Sequence, residues 1–70
     1  MIKQFTFTPK NDKDATFTFD NPQDAISYFN KRGYGMHNWK IVIETIEHKT
    51  SEISLVMFNF LEDNWEKLTA

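Results

Sequence analysis

Phe5-Thr6-Phe7-Thr8 is answered, almost in mirror image, by Thr16-Phe17-Thr18-Phe19. A large aromatic alternating with a β-branched polar residue is the period of a half-buried strand, one face oily and one face wet. The polar stretch between the tetrads, Pro9 to Ala15, reads as the loop of an antiparallel hairpin. Strands are expected over Ile2–Thr8 and Ala15–Phe19, with Phe5, Phe7, Phe17 and Phe19 on one face and Lys3 beside them at the frayed end. Cross-strand aromatic pairs of this kind each add roughly 0.2–1 kcal/mol relative to alanine pairs.

Downstream of the hairpin, Asp20-Asn21-Pro22-Gln23-Asp24 carries every mark of a helix start. The Asn21 side chain can accept an orphan N–H, Pro22 suits the first helical position, and Asp24 places negative charge where the helix dipole favours it. Ala25, Ile26 and Phe29 form an apolar stripe, Lys31 and Arg32 fall in the last turn, and Gly33 supplies a left-handed stop. A helix is therefore expected from Pro22 to about Arg32.

Trp39–Glu47 alternates again. Trp39, Ile41, Ile43 and Thr45 form one row and Lys40, Val42, Glu44 and Ile46 the other. Val42 and Ile46 make the second row less polar than a solvent face should be, which suggests a covering chain. His48 to Ser51 reads as a turn.

From Ser51 onward two periods compete. Period two gives a strand over Glu52–Phe58, with Ile53, Leu55 and Met57 inward, followed by a short helix from Asn59 with Leu61, Trp65 and Leu68 on one stripe. Period 3.6 gives a single helix over Ser51–Leu68, capped by Ser51. Periodicity does not separate the two. The β-forming residues Ile53, Val56 and Phe58 favour the strand. The expected fold is α+β, a small antiparallel sheet with two helices on one face in the order ββαββα. The alternative is ββαβα with a long C-terminal helix.

Seventy residues make one domain, residues 1–70. A chain of this size buries only about 60% of its unfolded surface. Without cysteine it has no disulfide and no thiolate metal site, so seven Phe and two Trp must supply the core. Absence of cysteine, of an N-terminal apolar leader and of any run long enough to span a bilayer points to the cytoplasm, with no membrane partner. The net charge is −2 and Arg32 is the sole arginine, which argues against nucleic acid as the partner.

Candidate chemistry is thin. The segment Lys31-Arg32-Gly33-Tyr34-Gly35-Met36-His37-Asn38-Trp39-Lys40 gathers cations, aromatics and two glycines. Basic residues interleaved with aromatics can hold phosphates and stack bases. Lys31, Arg32, Tyr34, His37 and Lys40 are the candidate binding residues. Gly33-Tyr34-Gly35 follows a helix and does not open one, so it is no nucleotide fingerprint. Asp12 and Asp14 share the spacing of a calcium loop but lack its glycine and distal glutamate. Glu62, Asp63 and Glu66 read as a solvated helix face or an acidic docking surface. His37 and His48 have no nucleophile or carboxylate at a catalytic spacing. No catalytic residue, metal site or cofactor is expected. The sequence points to a non-enzymatic protein-interaction or regulatory module that binds a protein partner or itself, as a homodimer through Val42 and Ile46. Nucleic-acid binding through residues 31–40 is the alternative.

Overall fold

In the computed structural model, which describes residues 1–69, a four-stranded sheet carries its helices on one face. The strands are β1 (Ile2–Pro9), β2 (Phe17–Phe19), β3 (Trp39–Thr45) and β4 (Thr50–Ile53). They lie in the order β2-β1-β3-β4 with every neighbouring pair antiparallel. The two long strands are central, while the edges are held by β2, of three residues, and β4, of four. The α+β class and the order ββαββα stand, with the final helix divided in two.

The hairpin register pairs Phe5 with Phe19 and Phe7 with Phe17, so all four rings share the helix-bearing face. Phe5 and Phe7 are fully buried. Strand β2 is shorter than expected, since Ala15 and Thr16 stay outside it. The expected position of Lys3 is also corrected. The β1–β3 register shifts between Ile2 and Gln4. This bulge leaves Lys3 exposed and packs Ile2 against the core.

Helix α1 spans Pro22–Arg32, the expected bounds. Asn21 Oδ1 accepts from the Asp24 backbone N–H at 2.9 Å, and Gly33 closes the helix at φ 71°. Ala25 and Phe29 are buried, and Phe29 meets Phe7 and Trp39 at ring-centroid distances of 5.0 and 4.8 Å.

The stretch expected to be a long fourth strand is mostly helix. Strand β4 ends at Ile53, and α2 runs over Leu55–Asp63. Ser54 caps it, its Oγ accepting from the Met57 backbone N–H at 3.1 Å. A break at Asn64 separates α2 from α3 (Trp65–Thr69). Ile53 faces inward, as expected, and the register pairs it with Ile41. Met57, expected inward, is exposed, and Phe58 takes the central place instead. The Phe58 ring reaches both Phe5 and Phe7, while Trp65 of α3 meets Phe5. Neither Ser51 as a cap nor an unbroken helix to Leu68 is observed. Strand β3 ends at Thr45, two residues early, because Ile46 and Glu47 belong to the turn.

That turn is a three-residue hairpin loop. The Thr45 carbonyl accepts from the His48 N–H and the Thr45 N–H donates to the Lys49 carbonyl, both at 2.9 Å. His48 sits at φ 67°, the left-handed position this loop type requires.

Candidate functional site

The segment from Lys31 to Lys40 does not form one surface. Its aromatic residues close the end of α1 over β3. Tyr34 lies nearly parallel to Trp39, with planes 29° apart and centroids 5.8 Å apart, and it meets Phe29 edge-on. Arg32 sits over the Tyr28 ring at 4.6 Å, a cation–π contact along the same helix. Lys31 is exposed. His37, in a 3-10 turn over Met36–Asn38, folds its ring back on Gly35, where a Cβ would lie 2.7 Å from the ring. Lys40 alternates with Trp39 and Ile41, so it stands on the opposite, helix-free face of the sheet. The structure thus groups Arg32 and Tyr34 around the aromatic cluster and sends Lys40 elsewhere.

Lys40 has other company. The helix-free face is built from the wet rows of the strands. Thr6 is flanked by Thr18 and Val42, Val42 by Glu52, and Thr8 by Lys40. Thr8 and Thr16 hydroxyls lie 3.2 Å apart. At one end of this face is an open depression of about 410 Å³, lined by Thr8, Pro9, Lys10, Lys13, Lys40, Val42 and Glu52. Its lysines come from the hairpin loop and from β3, segments about thirty residues apart in the chain brought to one place. Lys10, Lys13 and Glu52 escaped the sequence reading because only the strand register brings them to Lys40.

Val42 is half-buried on this face, whereas Ile46 lies in the β3–β4 turn. The larger exposed apolar surface is on α2, where Val56, Phe60 and Met57 are 79%, 57% and 46% exposed. Val56 and Phe60 are one turn apart on the side away from buried Phe58 and Leu61. Their signal in the sequence was composition. Leu55-Val56-Met57-Phe58-Asn59-Phe60-Leu61 is apolar at every position but Asn59, more than one buried face needs. Asp63, seven residues after Val56 and three after Phe60, borders this surface, and it shares a shallow depression of about 460 Å³ with Gln23, Glu62, Trp65, Glu66 and Lys67.

A short polar chain occupies the far end of the sheet. Glu44 accepts from Gln4 Nε2 and meets His48 Nδ1, each at 3.2 Å. His48 is largely exposed, and neither depression reaches it. Nearby, hydrogen bonds from its own backbone N–H and from the Thr45 hydroxyl hold the exposed Glu47 carboxyl below its ordinary value. Among the described residues no group of three or more His, Cys, Asp or Glu side chains could hold a metal ion, and no helix is long and apolar enough to cross a membrane.

The chain matches no family model, no curated protein and no solved structure.

Proposed function

We propose that this protein acts by binding, without catalysing a reaction, and that the outer face of α2 is where it docks a protein partner inside the cell. The observation that carries this reading is the exposure of Val56, Met57 and Phe60 on a helix whose inner face is already satisfied by Phe58 and Leu61. Contiguous exposed apolar side chains on a small domain mark an interaction surface.

Charge selects the kind of partner. Across α2 and α3 the charged residues are Glu62, Asp63, Glu66 and a single cation, Lys67. A second copy of the chain would bring a second set of carboxylates to the same interface. A segment with apolar anchors and flanking lysine or arginine complements both the rings and the acidic border, in the manner of an amphipathic helix laid against a hydrophobic face.

A model amphipathic peptide of leucine and lysine is a direct probe. Titration followed by heteronuclear NMR is expected to move the amides of α2 and α3, with binding that weakens in salt and in Asp63→Asn and is lost in Val56→Gln/Phe60→Ser. Shifts confined to Val42 and Ile46, or a sedimenting dimer dispersed by changes at those two residues, would replace this reading with self-association. No binding of the peptide by a folded protein would refute it.

A further inference from the structure

We infer that the depression on the helix-free face is a binding site for a small phosphate monoester, separate from the α2 surface. Three lysines, Lys10, Lys13 and Lys40, line it together with Thr8. Among the described residues the only ion pair is His48–Glu44, so none of these lysines has a carboxylate partner.

The loop that supplies two of the lysines carries as many carboxylates. Asp12 Oδ1 accepts from the Asp14 backbone N–H at 3.2 Å, and Asp12 N–H donates to the Pro9 carbonyl at 3.3 Å. The Asp12 carboxylate is engaged within this local turn, and the lining takes Lys10 and Lys13 from the loop and neither aspartate. The Lys10 N–H donates to the Asn38 carbonyl at 3.1 Å, which ties the loop to the start of β3 and so to Lys40.

Charge sets the ligand class. Three lysines against Glu52 leave a charge of +2 in the lining. A phosphate monoester carries about −1.5 to −2 at neutral pH, whereas a lone carboxylate would leave the site half compensated. Lysine binds phosphate as a mobile point charge and needs no fixed fork geometry. Val42 and Pro9 provide an apolar floor beside the cations, and Glu52, across the ladder from Val42, accepts a hydroxyl or amine of the esterified group. The volume of about 410 Å³ falls in the range of small-molecule sites.

The test is a low-salt titration of the whole protein, followed by amide shifts, with three probes: inorganic phosphate, glycerol 3-phosphate and a ten-nucleotide single strand. Saturable shifts are expected with glycerol 3-phosphate at Thr8, Lys10, Lys13, Lys40, Val42 and Glu52, with inorganic phosphate weaker at the same lysines. Lys40→Gln and Lys13→Gln are each expected to weaken binding about tenfold, the scale of one lost charged hydrogen bond. All four lining ions are exposed, so the variants keep their fold, which the dispersion of the same spectra verifies. Absence of saturable shifts at about 10 mM probe, an affinity too low to matter in a cell, would overturn the assignment. So would shifts spread over Lys3, Lys31 and Lys67, or an oligonucleotide binding the same lysines more tightly than the monoester. Val56→Gln/Phe60→Ser leaves this binding unchanged, which separates it from docking on α2.

Discussion

Phe58 stands edge-on to Phe5, ring centroids 5.6 Å apart and planes at 87°, and meets Phe7 the same way at 5.5 Å and 84°. Perpendicular ring pairs contribute about 0.5–1.5 kcal/mol beyond the area they bury. Through this one side chain α2 is fastened to the middle of the sheet. Phe58→Ala removes about 3–5 kcal/mol by the usual cost of emptying a buried aromatic site. A domain of this size holds about that much stability in total. Urea denaturation of the variant is expected to show no cooperative transition, while Phe58→Leu retains one at lower midpoint.

Phe60, two residues on, behaves in the opposite way. Its ring and the Val56 side chain face solvent, so Val56→Gln/Phe60→Ser is expected to change the unfolding free energy by less than about 0.5 kcal/mol per site. A loss comparable to that of Phe58→Ala would show the two residues to be core and remove the case for a docking surface.

At the ends of α1 the two caps are separable. Asn21→Ala leaves the Asp24 N–H without its acceptor and costs about 1 kcal/mol. Gly33→Ala meets no atom within 4 Å of the added Cβ, so its cost of about 1–2 kcal/mol comes from the left-handed φ of 71° alone. Gly33→Asn recovers part of that loss. Thermal melts of the three variants order as Asn above alanine at position 33, with the double Asn21→Ala/Gly33→Ala variant additive.

The reverse substitution is predicted to help at His48, a non-glycine residue at φ 67°. His48→Gly relieves about 1 kcal/mol of backbone cost and forfeits an exposed contact with Glu44 worth less than that. A higher urea midpoint is the expected result.

Glu47 gives the hairpin a pH dependence. Its folded value lies below the ordinary one near 4.5, because hydrogen bonds favour the ionised form. The linked stability is therefore complete above 4.5 and is lost as the pH falls through the lower folded value. Melting temperatures from pH 7 to pH 3 should fall less steeply for Glu47→Gln than for the parent chain.

What was legible in the chain was local. Helix α1 appeared to the residue because its caps, Asn21 and Gly33, lie within a turn of the groups they satisfy. The hairpin register followed from matched Phe-Thr alternation. The region after Ile53 reads either way because Leu55 to Leu61 is apolar apart from Asn59, so neither period stands out, and the β formers Ile53, Val56 and Phe58 favour a strand. Ser54, three residues before an N–H it could cap, was the available signal. The bulge that turns Ile2 inward has no such mark. The lysine depression was invisible for a different reason. Its cations are close only once β1 and β3 pair, and no spacing along the chain encodes that pairing.

The short boundary strands bear on how such molecules behave when crowded. A foreign strand laid along β2 or β4 would find three or four residues to pair with before the chain leaves the sheet. Too little backbone is offered to template growth from one molecule to the next. Neighbours can approach these borders without polymerising, and selective association is left to side chains, whose chemistry can discriminate among visitors as bare peptide groups cannot.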